Sequence, residues 1–137
     1  MIDSEKVPPI ADTEKLARYV TQSGQFRKSD HTVKQDLFIP HPRIELSLTR
    51  HLDATEAEIW GIGVDVSKQM DRKLYGRSDI QANKCKIDSL NVMAKPLPNN
   101  SNHADIEGWP SQKQDQKAVA LKLAASASKL ILPPMQS

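Results

Sequence analysis

The feature that most constrains the fold is an alternation of apolar and polar side chains over residues 44–50. Ile44, Leu46 and Leu48 are apolar, and the residues between them are polar. This alternation predicts a β-strand with one buried face and one face toward solvent. A strand of that kind fits an antiparallel or mixed sheet better than a parallel sheet that is covered on both faces.

A capped helix is predicted directly after this strand. Thr55 and Glu58 form a capping-box pattern in front of an apolar run. Apolar residues then recur every three or four positions, which is the spacing of one buried helix face: Ile59, Ile62, Val66, Met70 and Leu74. We expect the helix to end near Leu74, because Gly76 suits a left-handed helix stop.

A second long helix is predicted near the C-terminus. Ser111 and Gln114 form another capping box, and the helix is expected to reach about Leu130. Its apolar stripe contains small alanines. Gly61 and Gly63 lie inside the first helix, where each glycine costs about 1 kcal/mol relative to alanine. We therefore expect the alanine face of the second helix to pack closely against these glycines.

The N-terminal part of the chain predicts a short helix over residues 13–20. Leu16, Tyr19 and Val20 are spaced as one apolar helix face. Gly24 is a suitable stop. The preceding residues 1–12 are polar and contain two prolines, so we expect a flexible lead, and residues 133–137 are expected to form a tail.

A second strand is predicted between Lys86 and Lys95, where apolar and polar residues alternate before Pro96. Residues 97–110 are mostly polar and end at Trp109, which predicts a loop anchored by that side chain. Long loops without secondary structure are often functional. Two strands make only a marginal sheet, so either residues 34–40 and 77–84 add strands or a second copy of the chain completes the sheet.

These elements predict one α+β domain over residues 13–132. We expect a small sheet of two to four strands, packed by two long helices, with the short helix at the N-terminus. If the two strands are parallel, connected through the first long helix, their carboxyl ends meet at one sheet edge, where ligands bind in open α/β sheets.

The bulk composition excludes several classes of protein. Nineteen basic and seventeen acidic residues leave a net charge of +2, too little to indicate nucleic-acid binding. A basic group at the end of the first long helix is more typical of a solvated helix end than of a nucleic-acid site: Lys68, Arg72, Lys73 and Arg77. No apolar stretch is long enough to span a membrane. Cys85 is the only cysteine, and the N-terminus lacks a secretory pattern, so we expect a cytoplasmic protein.

Polar residues at the ends of the predicted elements form the candidate ligand site. These are Arg50 and His51 after the first strand, Arg77 and Asp79 after the first long helix, and His103 and Asp105 after the second strand. Arginine side chains grip carboxylates and phosphates bidentately. His103 is a candidate general base that Asp105 would orient. The alternative is that these side chains only make local caps and ion pairs.

No metal or cofactor motif accompanies these residues. The histidines at positions 31, 41, 51 and 103 form neither a helical pair nor a His-Glu-x-x-His pattern. Gly61-Ile62-Gly63 lies inside a predicted helix and has Val66 where a dinucleotide-binding motif needs a third glycine. We therefore expect no metal and no cofactor.

The sequence leaves two functions open. The first is a small accessory or adaptor protein that recognises a protein partner and forms a homodimer, which an incomplete sheet, the Gly and Ala helix faces and Trp60 favour. The second is an enzyme or ligand-binding domain that acts on an anionic small molecule or nucleotide through the six polar residues. Nucleic acid and membranes are not expected as partners.

Five segments together carry a resemblance that covers residues 14–131: residues 16–20, 44–50, 58–63, 74–80 and 103–110. Through them the chain resembles a family of small bacterial proteins that occur in accessory or mobile gene contexts. The family has no assigned activity, so the resemblance implies no functional residue. It implies only that the predicted domain is one unit.

Overall fold

Five strands form one antiparallel sheet in the computed structural model, which describes residues 7–40 and 45–134. The order across the sheet is β3-β1-β2-β5-β4, and every neighbouring pair is antiparallel. The strands are β1 (Lys15–Val20), β2 (Leu46–Arg50), β3 (Gly76–Gln81), β4 (Asn91–Ala94) and β5 (His103–Glu107).

Two long helices and one short helix accompany the sheet: α1 (Glu56–Gln69), α2 (Ala82–Cys85) and α3 (Lys113–Ser126). The predicted capping box starts α1, because Glu58 N donates to Thr55 Oγ1 and Thr55 N donates to Glu58 Oε1, both at 3.1 Å. The helix stops before Leu74 because Asp71 takes a left-handed conformation with φ of 54°. At α3 the N-cap is Gln112, whose side chain makes no capping bond.

The predicted fold class is wrong in its strand count and in its first element. The sheet has five strands rather than two to four, and the expected N-terminal helix is strand β1. Leu16 and Val20 pack on one face of the sheet and Tyr19 packs on the other. Because β1 is an inner strand with apolar residues on both faces, its sequence lacks the alternation that identifies a half-buried strand.

The predicted loop over residues 97–110 is also wrong, since its second half is strand β5 in the interior of the sheet. Ala104 and Ile106 are fully buried and alternate with polar residues. The two predicted strands, β2 and β4, run in the same direction but are not neighbours, because β5 lies between them and is antiparallel to both. His103 at the start of β5 pairs with Thr49 near the end of β2. Of the two segments named as further strand candidates, residues 77–84 supply β3, whereas residues 34–40 contain a 3₁₀ turn at Gln35–Phe38.

The two faces of the sheet are covered unequally. On the α3 face a large apolar cluster joins the sheet to α3 and to the turn at Gln35–Phe38. On the α1 face the buried cluster among the described residues consists of Ala17, Tyr19 and Ile59. Gly63 packs against the Tyr19 ring, where a Cβ atom would lie 2.7 Å from a ring carbon. The expected packing of the α3 alanines against this glycine is therefore wrong, because the two helices lie on opposite faces.

Strands β1 and β2 separate soon after they pair. Only Leu16 with Arg50 and Ala17 with Thr49 are paired, whereas β1 pairs with β3 along its whole length. The side chain of Arg18 lies where β1 and β2 part, because it donates to the backbone of β2 at Ser47. This separation opens the sheet and positions the site described below.

The chain ends are described in part. Residues 1–6 of the predicted lead, residues 135–137 of the predicted tail and Ile44 at the start of the predicted strand lie outside the described residues. Pro8 and Asp12 from the lead contact the sheet region, since Pro8 O accepts from Arg50 and Asp12 accepts from Lys86. Within residues 7–40 and 45–134, no helix has the length and apolar character needed to cross a membrane.

Candidate functional site

Arg18 is the central residue of the site because its guanidinium lies in the gap between β1 and β2. Its Nε donates to Leu37 O at 2.9 Å and its Nη1 donates to Ser47 O at 3.0 Å. Within the described parts of the chain, Nη2 makes no hydrogen bond. A guanidinium has five N–H donors. These two bonds therefore hold the group in place and leave donors free.

The charge of Arg18 is not balanced by a carboxylate. Among the described residues no Asp or Glu oxygen lies within ion-pair distance of its guanidinium. Burial, and to a smaller extent the positive charge of Arg72, lowers the pKa of Arg18 to about 10. The group still carries its charge at neutral pH. A half-buried cation without a counter-ion favours the binding of an anion, because the anion restores the lost stabilisation of the charge.

A cleft of about 390 Å³ opens beside Arg18. Its volume is within the range of small-molecule sites. Three permanent cations line it, with one carboxylate: Arg18, Arg72 and Lys113 against Asp36. An apolar part of the wall consists of Ile39, Val66 and Met70. A side chamber of about 250 Å³ shares Arg18 and Val66 and continues beneath α1 toward Asp65.

The polar wall of the cleft is held rigid by internal hydrogen bonds. Tyr19 Oη donates to Ile59 O at 2.5 Å, and burial raises the pKa of this phenol to about 12. Asn100 Nδ2 donates to Thr49 Oγ1 at 3.1 Å. Gln25 Oε1 accepts from two backbone N–H groups, and no described residue accepts from its Nε2. The side chains of this wall are therefore held in place, and the Gln25 Nε2 donor stays available to a ligand.

His103 connects this cleft to a second polar group on the same sheet face. Because a carbonyl oxygen only accepts, His103 Nδ1 donates to Lys95 O at 2.9 Å. The ring thus holds Nε2 3.5 Å from Asp105 Oδ1. His103 lines both the main cleft and the side chamber. Of the six residues that the sequence selected, it is the one that borders the cleft.

A crowded carboxylate group lies behind His103. Burial raises the pKa of Asp105, and the negative charge of Glu45 raises it further, against the opposing charge of His103. Lys95 Nζ lies 3.9 Å from Asp105 Oδ2 and pairs with Glu107. Asp105 Oδ1 is buried without a hydrogen-bond partner. Within the described residues, no group of His, Cys, Asp or Glu side chains is arranged to hold a metal ion.

Arg50 points away from this group, into the α3 face. It shares a face with Leu16, its partner across the strands. Its guanidinium is 1% exposed and grips Glu14 with two bonds of 2.6 and 2.8 Å. A third bond of 2.8 Å goes to Pro8 O. This arrangement favours a structural role, because the guanidinium is already bound to a carboxylate inside the protein.

Arg77, His51 and Asp79 form a separate network at the N-terminus of α1. Arg77 donates to both oxygens of Glu56, at 2.6 and 3.0 Å, and to both oxygens of Asp79. His51 Nε2 lies 2.9 Å from Asp79 Oδ1. Burial opposes ionisation of Asp79, yet hydrogen bonds from His51 and Arg77 hold its pKa below the usual value. Trp60 stacks on the guanidinium, so this network fastens α1 to β3.

The six predicted residues thus occupy three places. Arg50 lies on the α3 face, His51, Arg77 and Asp79 lie under the start of α1, and His103 and Asp105 lie on β5. Their role in ligand binding stays a prediction. Sequence reasoning missed Arg18, although it is the single charged residue in an otherwise apolar run, a pattern that indicates a charge held at a buried position.

Comparison of the chain with protein-family models, with curated proteins and with solved structures gives no match. The resemblance to small bacterial proteins therefore stays a prediction.

Proposed function

We propose that the chain is a binding domain for a small anionic ligand, which Arg18 and Arg72 hold in the cleft between β1 and β2. The observation that carries the proposal is the guanidinium of Arg18. It is fixed by two backbone carbonyls, retains free donors and has no carboxylate partner among the described residues. Hydrogen bonds to a charged partner are worth about 1.5–3 kcal/mol, so a ligand carboxylate or phosphate would bind strongly here.

The surroundings of Arg18 support an anion rather than a neutral ligand. Arg72 and Lys113 add positive charge to the cleft wall, against the single carboxylate of Asp36. Arg72 is placed there by the early end of α1, since its backbone N donates to Ser67 O after the turn at Asp71. A cleft that is lined mainly by one sign of charge concentrates ligands of the opposite sign.

Three of the observations that favoured a protein partner are changed by the structure, whereas Gly61 stays uncovered. The sheet has five strands, so it needs no second copy of the chain for completion. Trp60 is only 9% exposed and stacks on Arg77. The space beside Gly63 is occupied by the Tyr19 ring. Self-association, a protein partner and a cytoplasmic location remain predictions from the sequence.

Calorimetric titration with a panel of small probes tests the proposal. The anionic probes are inorganic phosphate, benzoate and phenyl phosphate, and the neutral probe is benzyl alcohol. We expect one-to-one binding of at least one anion and none of the neutral probe. In the Arg18→Met variant we expect the affinity to fall at least about tenfold, because a charged hydrogen bond is lost.

The matched control is Arg27→Met. Arg27 is exposed, bonds Thr32 and lines a different cavity. This variant should retain the wild-type affinity, and both variants are first checked for a folded circular dichroism spectrum. The proposal is wrong if no anion binds the wild-type chain, or if Arg18→Met binds as tightly as the wild type.

A further inference from the structure

The donor and acceptor inventory of the cleft points to a narrower ligand class than anions in general. We propose that the cleft takes a phosphate monoester, with the phosphoryl oxygens at Arg18 and Arg72 and an apolar ester group against Val66 and Met70. This inference rests on the proposed function and adds the chemical class of the ligand.

The charged hydrogen-bonding groups of the cleft are mainly donors, because three cations line it against the single carboxylate of Asp36. Arg18 Nη2 and Gln25 Nε2 make no bond with any described residue, whereas Gln25 Oε1 is already occupied by backbone N–H groups. Arg72 and Lys113 can only donate. By contrast, the acceptors of Thr49 and Asn100 are engaged, since Thr49 Oγ1 accepts from Asn100 Nδ2 and Asn100 Oδ1 accepts from Asn102 N. A ligand that pairs with these donors must therefore carry several hydrogen-bond acceptors.

A phosphate monoester matches this inventory better than a carboxylate does. Its terminal phosphoryl group has three strong acceptor oxygens and a charge of about −1.5 to −2 at neutral pH. A carboxylate has two oxygens and one charge, so it leaves part of the donor set unpaired. Two guanidinium groups together, Arg18 and Arg72, also repel each other. A dianion neutralises both charges, whereas a carboxylate neutralises one.

The apolar part of the cleft wall favours a ligand that carries an organic group beside its phosphate. Ile39, Val66 and Met70 line the same cleft as the cations, and Met70 is 37% exposed. Inorganic phosphate leaves this wall uncovered. An organic ester group covers it, and each buried methylene-sized group contributes about 0.8 kcal/mol. The cleft therefore suits an organic phosphate rather than the free ion.

The test compares probes that share one ring and differ in the anionic group: phenyl phosphate, phenyl sulfate and benzoate, with inorganic phosphate as the ring-free probe. We expect phenyl phosphate to bind at least about tenfold tighter than benzoate or phenyl sulfate, because it pairs more donors and carries more charge. Inorganic phosphate should bind more weakly than phenyl phosphate.

A pair of methionine variants tests the apolar wall. Met70→Ser should weaken phenyl phosphate about three- to tenfold and leave inorganic phosphate unchanged, since it removes apolar contact area but no charge. Met93→Ser is the control, because Met93 is similarly exposed on β4 outside the cleft. It should change neither affinity.

The outcomes separate this inference from the function on which it rests. If benzoate or phenyl sulfate binds as tightly as phenyl phosphate, the phosphate class is wrong and the anion-binding function stands. If no anion binds, both are wrong. If Met70→Ser weakens the binding of inorganic phosphate as much as that of phenyl phosphate, the placement of the ester group against Met70 is wrong.

Discussion

The two faces of the sheet differ in what their side chains are used for. On the α3 face, twenty buried residues among those described form one apolar cluster, and the charged Arg50 there is paired with Glu14. On the α1 face, the buried cluster has three residues, and the remaining surface carries polar groups that are crowded or unpaired. Arg18 lies at the opening between the faces, where β1 and β2 separate.

We infer from this difference that the residues that stabilise the fold and the residues of the proposed binding site lie in different parts of the sheet. Burial of apolar surface is the main favourable term in folding, so the larger cluster on the α3 face should hold most of the stability. Unbalanced charge costs stability and is retained mainly at functional sites. The contrast therefore places most of the apolar core on one face, and the proposed ligand site at the opening between β1 and β2.

The largest expected effect comes from matched leucine substitutions on the two faces. Leu123 in α3 is fully buried in the large cluster, whereas Leu74 is partly buried in the small one. We expect Leu123→Ala to cost about 3–5 kcal/mol of unfolding free energy and Leu74→Ala about 1 kcal/mol. Urea unfolding followed by circular dichroism measures both. Equal losses would contradict the assignment of stability to the α3 face.

The next effect concerns the network that fastens α1 to β3. Arg77 is 3% exposed and binds Glu56 and Asp79. We expect Arg77→Met to cost about 2–4 kcal/mol, because it leaves Asp79 buried with fewer partners. Glu56→Gln is the control, since Glu56 is 69% exposed, and should cost less than about 1 kcal/mol. A stable Arg77→Met variant would show that the network does not hold the helix.

Two aspartates should give pH effects of opposite sign. The pKa of Asp79 is held low in the folded chain, so its stabilising effect is present at neutral pH and is lost as the pH falls through that lowered value. The pKa of Asp105 is raised, so ionising it costs stability, and that cost develops as the pH rises above about 4 toward the raised value.

Substitution by asparagine tests this pair directly. At pH 7 we expect Asp105→Asn to stabilise the chain, because burial raises the pKa of that carboxyl, and Asp79→Asn to destabilise it, because hydrogen bonds from His51 and Arg77 lower the pKa of Asp79. Both differences should shrink as the pH falls below about 4, and the Asp79 difference disappears only below the lowered pKa of that carboxyl. Denaturant unfolding between pH 3 and 8 in steps of about one unit provides the measurement. Effects of the same sign at pH 7 would contradict the account.

The smallest effect on stability is expected at Arg18 itself. Its charge is desolvated and lacks a carboxylate among the described residues, so Arg18→Met should change the unfolding free energy by less than about 1 kcal/mol in either direction. The same substitution is expected to abolish most of the anion affinity. A large loss of stability would instead assign Arg18 to the scaffold.

The predictability of the fold from sequence varies with how each element is exposed. Strand β2 and the start of α1 were predictable because each has apolar residues on one side and polar residues on the other, which produces alternation or a helical stripe. In β2 the polar side is itself largely covered, since Thr49 is buried. Strand β1 was not, since it is buried on both faces. Strand β5 shows an alternation at Ala104 and Ile106 that was obscured by the polar residues around it.

The site was less predictable than the fold for a related reason. His103 was selected because it follows the second predicted strand and because histidine can act as a general base, and it borders the cleft. Arg50 and Arg77 were selected as ligand residues, but each is bound to a carboxylate distant in sequence, and such pairs depend on the pairing of strands. The single charge of Arg18 in an apolar run is visible in the sequence, but its position beside a cleft depends on where β1 and β2 separate.

The most direct test of the central claim is a map of where an anion binds. Backbone amide resonances are followed by ¹H–¹⁵N NMR during titration with phenyl phosphate. We expect shifts concentrated at the cleft, around Arg18, Gln25, Thr49 and His103, with little change along α3 beyond its first turn, where Lys113 lines the cleft. Shifts spread over the α3 face, or no shifts at any residue, would contradict the assignment of binding to the opening between β1 and β2.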